Sequence, residues 1–219
     1  DEGAKAIAHL NHPGRMANPE IEGNVHLSAS DTPCERTDVL PSRMDREEIS
    51  EAIALFVNGA RRAEAAGFDA IELQFGHGYL VAQFLSPAVN RRTDRYGGDF
   101  ENRARFGLEV FEAVTETVDL PVIVRLTADD TVDGGIDFTA ASRLAGRLEE
   151  RGVDALHVTM GTLCQAPHDF FQHMFTPKGT TWEYAARLQT EVDVPILAVG
   201  QINEHRDIDR VREESMADG

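Results

Sequence analysis

Short apolar runs alternate along this chain with longer segments whose apolar residues recur at helical spacing. The first helical segment begins at Asp45, which suits the N-cap position, and stops at Gly67, a residue common just beyond helix ends. Between these two signals the pattern predicts a helix over residues 45–66. The apolar positions that recur every three or four residues are Ile49, Ile53, Phe56 and Val57.

The whole chain is predicted to alternate between strands and helices. Strands are expected at residues 4–10, 70–73, 119–126, 154–159 and 193–200, each a mostly apolar run. Helices are expected at residues 45–66, 100–117, 140–151, 181–192 and 205–214, and Asp99 is placed to cap the second of them. Apolar strands separated by helices are typical of a parallel sheet covered by helices.

An internal repeat makes this fold class more specific. The run GFDAIEL at Gly67 returns as GVDALHV at Gly152, and DLPVIVRL at Asp119 returns as DVPILAVG at Asp193. Two alternating strand types fit a closed (β/α)8 TIM barrel better than an open sheet, because the barrel layers draw on alternate strands. A complete barrel has eight strands and the pattern predicts five. We therefore expect residues 1–219 to form a single partial barrel domain that lacks material at both ends.

Composition bounds the class of protein. With 219 residues, 42% of them hydrophobic, the chain can bury one sizeable core. It has no apolar run of the ~18–20 residues that a membrane helix needs, and its start, DEGAKAIAHL, lacks the pattern of a signal peptide. The only two cysteines, Cys34 and Cys164, give no disulfide framework and predict a reducing, cytoplasmic location.

The net charge of −17 argues against nucleic acid or an anionic membrane as a partner. Of the 21 basic residues only Lys5 and Lys178 are lysines. Many acids with few lysines would suit a cytoplasm of high salt, where screening weakens repulsion between charges. An arginine-rich, acidic protein of an ordinary mesophile is the alternative interpretation.

Polar side chains gather where the predicted strands end, which is where barrel enzymes carry their chemistry. Gln74, His77 and Tyr79 follow one strand, and Arg125 lies inside another that is otherwise apolar. The Tyr79 phenol keeps its proton at neutral pH and could donate it, although a packed aromatic ring at the barrel rim is the alternative. Arg125 needs an anion or a polar acceptor, for which an internal ion pair is the plain explanation.

Metal sites are not favoured by the sequence. His9 and His12 have H-x-x-H spacing, but residues three apart on a strand face opposite ways, so we discount zinc. The run from Asp129 resembles a calcium loop until its twelfth position, which is Ala140 where such loops have Glu.

The run GFDAIELQFGHGYLVAQFLSPAVNRRTDRYGGDFENRARF strongly resembles the Old Yellow Enzyme family of FMN-dependent ene-reductases, which includes NADH:flavin oxidoreductases. HLNHPGR, PSRMDREEI, VIVRLTADD, VDALHVTMG and ILAVGQIN agree with the same family in order. Aligned in this way, the chain runs approximately from the third to the seventh barrel strand. The 2,4-dienoyl-CoA reductase branch has a histidine where this chain has Leu163, which argues against that branch.

The resemblance implies roles for three catalytic residues. Tyr79 would protonate the carbon alpha to the substrate carbonyl, and Gln74 and His77 would donate hydrogen bonds to the carbonyl oxygen. Gln74 departs from the family, which usually has His at this position. An amide can still donate, so the departure affects substrate preference more than reaction class. A histidine satisfied by its own loop is the alternative for His77.

The resemblance also implies the flavin contacts. Arg125 would face the N1–O2 edge of FMN, and His9 stands where the family usually has a Gln that contacts the pyrimidine ring. His12 agrees with the family and is expected to be structural. Gly200 and Gln201 would contribute to the phosphate site, although the family more often has Arg at the second position.

The function implied is hydride transfer from NAD(P)H through FMN to an activated C=C bond of a small molecule. Phe75 and residues 16–43 are expected to shape the substrate pocket. An amine dehydrogenase or demethylase on the same scaffold and a non-catalytic barrel remnant that binds a ligand or partner are the alternatives. The sequence leaves homo-oligomerisation open.

Overall fold

The structure is a computed structural model that describes residues 3–18, 20–21, 25–37, 39–172 and 175–219. Its strands are β1 (Ile7–Leu10), β2 (Leu27–Ser28), β3 (Ser42–Arg43), β4 (Ala70–Gln74), β5 (Val122–Thr127), β6 (Ala155–Thr159) and β7 (Ile196–Ala198). Its helices are α1 (Arg46–Ala65), α2 (Leu80–Leu85), α3 (Phe100–Thr115), α4 (Phe138–Glu149), α5 (Pro167–Phe171), α6 (Thr180–Leu188) and α7 (His205–Glu213), with a 3-10 turn at Gly14–Met16.

The main sheet contains the five predicted strands in the order β1-β4-β5-β6-β7, and every neighbouring pair is parallel. The described part of the chain therefore has the parallel α/β architecture of a barrel with five strands in place. Strands β5 and β7 each start three residues later than predicted, because Pro121 and Pro195 have no N–H to contribute to the ladder. The register pairs Ile71 with Val122, Arg125 with His157, and His157 with Leu197.

Helix α1 forms where the apolar periodicity predicts it. The Asp45 carboxylate accepts from the Glu48 N–H at 2.9 Å, and the Glu48 carboxylate accepts from the Asp45 N–H at 2.8 Å. The chain leaves the helix through Gly67, whose φ of +81° lies in the left-handed region that glycine adopts without strain. The face buried against the sheet and neighbouring helices consists of Ile49, Ala52, Phe56, Ala60 and Ala63.

The two faces of the sheet bury different kinds of side chain. Residues such as Ile71, Leu73 and Val124 point to the helices and join the main hydrophobic core. Their alternating neighbours point to the opposite, inner face, where Ala70, Ile123 and Ala155 form a second small cluster. Further along each strand the inner face becomes polar. It carries the side chains of His9, Glu72, Gln74, Arg125 and His157.

Phe75 lies on the helix-facing side, so its predicted role in shaping the substrate pocket is wrong. Its N–H donates to the Arg125 carbonyl oxygen at 2.8 Å, which continues the strand geometry by one residue. Because successive strand residues point to opposite faces, Phe75 faces away from Gln74. Its ring is fully buried and packs beside Gly107 of α3 and Val81 of α2.

Several short elements were not predicted. Helix α2 consists of LVAQFL, and all six residues are buried, so it shows no polar face from which a period could be recognised. Helix α5 has five residues, and β2 and β3 are two-residue strands within the long polar segment after β1. Arg92 stabilises that segment, since its guanidinium donates to the carbonyl oxygens of Ala29 and Met44.

The two cysteines form a disulfide, so the prediction that they give no disulfide framework is wrong. Cys34 lies in the segment after β1 and Cys164 in the loop after β6, and their Cα atoms are 5.4 Å apart. Parallel strands end at the same edge of a sheet, which brings these loops together although 130 residues separate the cysteines. Arg15 joins the same two loops by donating to the Pro33 carbonyl oxygen and to the Gln165 side chain. The cysteines therefore no longer support the predicted reducing, cytoplasmic location.

None of the helices within the described ranges combines the length and the apolar composition that crossing a bilayer requires.

We expect Cys34→Ser to lower the free energy of unfolding by about 4 kcal/mol under non-reducing conditions, because a cross-link over so long a loop restricts the unfolded chain. Urea unfolding of the two proteins measures this difference. In the presence of a reductant both proteins should unfold at the same urea concentration. Equal stability without reductant would contradict the disulfide.

Candidate active site

The carboxyl ends of the parallel strands place most of the predicted site residues at one edge of the sheet. Gln74 is the last residue of β4 and pairs in register with Arg125 of β5. Arg125 in turn pairs with His157 of β6. His77 and Tyr79 follow β4 immediately, and the positive charge of Arg125 acts on His77. The structure thus brings Gln74, His77, Tyr79 and Arg125 into one neighbourhood.

The turn after β4 is held in place from two neighbouring strands. The His77 N–H donates to Thr127 Oγ1 at 2.7 Å at the end of β5, and the Leu163 N–H donates to the His77 carbonyl oxygen at 3.1 Å. His77 has a φ of +61°, an uncommon conformation for a non-glycine residue and one that recurs at functional sites. At Gly78 a Cβ atom would stand 2.2 Å from Thr162 Oγ1, so only glycine fits against the β6 loop.

The His77 ring is buried and neutral. Burial, together with the positive charge of the nearby Arg125, lowers its pKa to about 3. Nδ1 lies 3.3 Å from the Gly161 carbonyl oxygen, an acceptor, so this contact places the proton on Nδ1. Nε2 is buried without a hydrogen-bond partner among the described residues. The Phe170 ring packs edge-on against the imidazole with centroids 4.5 Å apart.

Gln74 presents its amide nitrogen to the site. Its side-chain oxygen accepts from the Gly76 N–H at 2.9 Å, which fixes the orientation of the amide. The NH2 group is therefore the end of the side chain that can donate to a ligand. This orientation fits the predicted role of Gln74 as a donor.

Tyr79 stands at the start of α2, where its backbone is extended and its side chain is half-buried. Two contacts fix the helix start behind it. The Leu80 N–H donates to the His12 carbonyl oxygen at 3.0 Å, and buried Gln83 donates to the Gly78 carbonyl oxygen at 2.7 Å. His12 itself accepts from the Gly14 N–H through Nδ1 at 3.1 Å, which agrees with the structural role predicted for it.

Arg125 is a half-buried cation that has no direct ionic partner among the described residues. Burial lowers the pKa of Arg125. Its electrostatic interactions with Glu72 and Tyr79 act in the opposite direction and raise it. Within the described residues no carboxylate oxygen lies within 4.0 Å of the guanidinium, and its buried Nε has no hydrogen-bond partner. The internal ion pair that the sequence left open is therefore not formed by direct contact.

Glu72 lies next to these residues on the inner face of β4. Its two carboxylate oxygens contact His9 Nδ1 at 2.5 Å and His157 Nδ1 at 2.6 Å. Burial raises the pKa of Glu72, but the hydrogen bonds from His157 and His9 outweigh this effect and lower it to about 2. Glu72 is thus ionised, and His9 reaches the site from the edge strand with its Nδ1 already engaged.

Gly200 and Gln201 lie beyond β7, at the opposite edge of the sheet from β1. Gly200 has a φ of +103°, and a Cβ atom there would collide with the Gln172 side chain. The Gln201 amide donates to the carbonyl oxygens of Gln172 at 2.8 Å and Thr176 at 3.1 Å, so the side chain fixes that loop. Their predicted part in a phosphate site stays a prediction.

The residues present fit the FMN that the sequence resemblance implies. Arg125 Nε and His77 Nε2 are buried polar atoms that lack a partner within the described chain, and such atoms are rarely left unsatisfied in a finished site. A cationic guanidinium suits the electron-rich pyrimidine edge of a flavin. Arg125 and His9 are the residues that would hold this edge.

Sequence reasoning missed four residues of the site. Glu72 and His157 carried a signal, because they occupy the same position in the repeated runs GFDAIEL and GVDALHV, and each interrupts an apolar strand. Gln83 interrupts LVAQFL in the same way. Phe170 had no such signal, since only the folded loop after β6 brings it to His77.

Comparisons with known proteins agree with this fold and with the family resemblance. The sequence profile of the NADH:flavin oxidoreductase / NADH oxidase family matches residues 1–218. The chain is 37% identical over 217 residues to an NADPH dehydrogenase of Bacillus velezensis, a match that covers 99% of this chain and 62% of the relative.

Two solved structures share the fold. Histamine dehydrogenase from Rhizobium sp. 4-9 superposes with a TM-score of 0.82 at 28% identity, covering 99% of this chain and 32% of that one. Morphinone reductase superposes with a TM-score of 0.78 at 28% identity, covering 99% and 61%.

The chain spans less than two thirds of the length of these relatives. Within that span the match is continuous and includes every strand and helix described above. The chain therefore belongs to the NADH:flavin oxidoreductase / NADH oxidase family, a family of FMN-dependent oxidoreductases.

Proposed function

We propose that this protein transfers hydride from NAD(P)H, through FMN, to an activated C=C bond of a small carbonyl compound. The observation that carries the proposal is the pair of buried atoms Arg125 Nε and His77 Nε2, which lack a hydrogen-bond partner in the described part of the chain and lie near the half-buried phenol of Tyr79. A cation, a neutral imidazole and a phenol meet at one strand edge, and each has a distinct use in such a reaction.

FMN held at this site would supply hydride transfer from the nicotinamide to the alkene carbon beta to the carbonyl group. Arg125 stabilises the negative charge of the pyrimidine edge, because its guanidinium is half-buried and has no carboxylate within 4.0 Å in the described chain. His9 offers Nε2 to the same edge, since Nδ1 is held by Glu72.

The carbonyl oxygen of the substrate is held by Gln74 and His77. Hydrogen bonds to this oxygen withdraw electrons from the double bond and stabilise the charge that develops on oxygen. Gln74 donates from the amide group whose oxygen is fixed by Gly76. His77 donates from Nε2, which requires its proton to move from Nδ1 and breaks only the long 3.3 Å contact with Gly161.

Tyr79 supplies the proton to the carbon alpha to the carbonyl. A phenol is a weak acid with a proton that it can donate to a developing carbanion. Its position at the extended start of α2 leaves the side chain partly accessible, while His12 and Gln83 fix the backbone behind it. The cationic Arg125 nearby stabilises the phenolate left after transfer.

Oxidation of an amine on the same scaffold is the second candidate. The structural similarity to histamine dehydrogenase supports it. The donor pair formed by Gln74 and His77 favours a carbonyl substrate, because a protonated amine has no lone pair with which to accept their hydrogen bonds.

The visible absorption spectrum of the purified protein tests the proposal. We expect bound FMN whose absorption is lost on anaerobic addition of NADPH and returns when an α,β-unsaturated ketone is added. Loss of colour with an amine in place of NADPH would support the second candidate. A colourless protein that takes up no FMN would leave the non-catalytic barrel remnant as the better interpretation.

Arg125→Gln should weaken FMN binding at least tenfold, because it removes the cation facing the pyrimidine edge. The matched control is Arg143→Gln, which removes an exposed arginine paired with Glu101 at 3.2 Å. FMN affinities measured by fluorescence quenching compare the variants. Equal affinities for both would remove Arg125 from the flavin site.

Tyr79→Phe should slow reoxidation of the reduced flavin by the unsaturated ketone by about 100-fold or more, because the proton donor is lost. Reduction by NADPH should be unchanged, since it needs no proton from Tyr79. Tyr184→Phe is the control, as it removes a hydroxyl that donates to Asp129 at 3.1 Å. Stopped-flow measurement of the two half-reactions separates these effects, and an equal slowing of both would argue against the role.

Nitrogen NMR of His77 should show a neutral ring from about pH 5 to pH 8, because burial and Arg125 hold its pKa at about 3. In the free protein the proton should reside on Nδ1, and binding of a saturated ketone should move it to Nε2. A ring that titrates near its ordinary pKa, or a tautomer that ignores the ketone, would exclude His77 as the neutral donor.

A further inference from the structure

Three ionisable side chains form a closed group on the inner face of the sheet. Each oxygen of the Glu72 carboxylate contacts one imidazole, His9 Nδ1 at 2.5 Å and His157 Nδ1 at 2.6 Å. The three residues come from β4, β1 and β6, so the arrangement depends on strand pairing and not on local sequence. We call this group the inner triad.

The hydrogen bonds of the inner triad fix where its protons lie. Because Glu72 is ionised, its oxygens only accept, and both imidazoles must carry a proton on Nδ1. In the neutral ring Nε2 is then the free basic atom. Each histidine can therefore take up one more proton, at Nε2, without giving up its bond to Glu72.

The charges around the inner triad balance in the absence of a ligand. The negative Glu72 acts on the positive Arg125 of β5, and the pair sums to zero. Among the described residues, His77, which is neutral, interacts electrostatically with His9, His157 and Arg125, and Tyr79 interacts with Arg125. A further negative charge next to Arg125 would leave the region with an excess anion, which favours uptake of a proton.

Of the two histidines, His9 is the better acceptor of that proton. Arg125 pairs in register with His157, so a proton on His157 would be repelled by a cation on the adjacent strand. His9 is two strands away from Arg125, with β4 and its anionic Glu72 between them. The His9 side chain is also less enclosed by the chain, at 39% exposed against 17% for His157, and its Nε2 is the atom that would contact the flavin edge.

We propose that the inner triad is a proton-uptake site in which His9 gains a proton on Nε2 whenever the flavin beside Arg125 becomes reduced. The inference rests on the proposed function, because it requires FMN at Arg125. Two electrons and one proton enter the flavin itself. The second proton passes from water to His9, Glu72 stabilises the resulting cation, and His157 satisfies the other oxygen of Glu72.

The proposal predicts how the flavin midpoint potential depends on pH. For a two-electron couple, each proton taken up shifts the potential by about 30 mV per pH unit, because a tenfold change in the equilibrium constant corresponds to 29.6 mV. With His9 involved, two protons accompany the electrons. We therefore expect a slope of about 60 mV per pH unit over about pH 6 to pH 8, where an imidazole titrates.

Variants of the holoprotein separate the contributions. His9→Gln keeps an amide at this position but cannot titrate, so its slope should fall to about 30 mV per pH unit. Glu72→Gln should also reduce the slope, since it removes the anion that stabilises the added proton. His157→Gln should retain the steep slope. His205→Gln is the control, because His205 is an exposed histidine at the start of α7.

Carbon-13 or nitrogen-15 NMR of His9 provides a readout independent of catalysis and potential. Reduction of the holoprotein at constant pH should convert His9 from the neutral to the doubly protonated ring, while His157 stays neutral. The conversion needs no substrate, so it is unaffected by any loss of turnover.

Two results would overturn the proposal while leaving the flavoprotein assignment intact. One is a holoprotein whose slope is already about 30 mV per pH unit. The other is a His9→Gln variant that keeps the steep slope, which would place the second proton on the flavin itself. A protein that takes up no FMN would overturn the proposed function together with this inference, and the absence of flavin absorption identifies that case.

Discussion

The parallel register of the five-stranded sheet is the constraint on which the site depends. Each strand enters the sheet in the same direction, so the strand ends and their loops gather at one edge. The register then decides which side chains are neighbours. It places Gln74 beside Arg125 and Arg125 beside His157, and it lets Glu72 reach His9 and His157 on opposite sides. A shift by one residue would turn every one of these side chains toward the apolar core.

The polar inner face also explains why Arg125 Nε and His77 Nε2 lack hydrogen-bond partners among the described residues. Glu72 is fully engaged by two imidazoles, so it influences Arg125 through its charge but not through a direct bond. The guanidinium is therefore left with capacity for another acceptor. The turn that follows β4 likewise leaves His77 Nε2 without a hydrogen-bond partner among the described residues. Buried polar atoms that the described residues leave unsatisfied can interact with a ligand, and preorganised groups of this kind stabilise developing charge.

The loops around this edge are fixed by contacts between distant parts of the chain. The disulfide between Cys34 and Cys164 and the hydrogen bonds of Arg15 both join the segment after β1 to the loop after β6. That loop carries Phe170, which packs against the His77 ring. The orientation of the His77 imidazole thus depends on the loop after β6. That loop is bonded to the segment after β1, which limits the movement of the loop.

The sequence by itself determined the five strands of the main sheet, the five longer helices and the chemistry at the strand ends. Capping residues such as Asp45 and Asp99 and the repeat beginning at Gly67 act locally, and local signals can be recognised without a fold. Only the tertiary structure decided that Cys34 meets Cys164, that Phe75 faces the helices, and that Glu72 joins two histidines. These facts depend on register and on which loops share an edge, and such relations between distant strands leave no periodic trace in the chain.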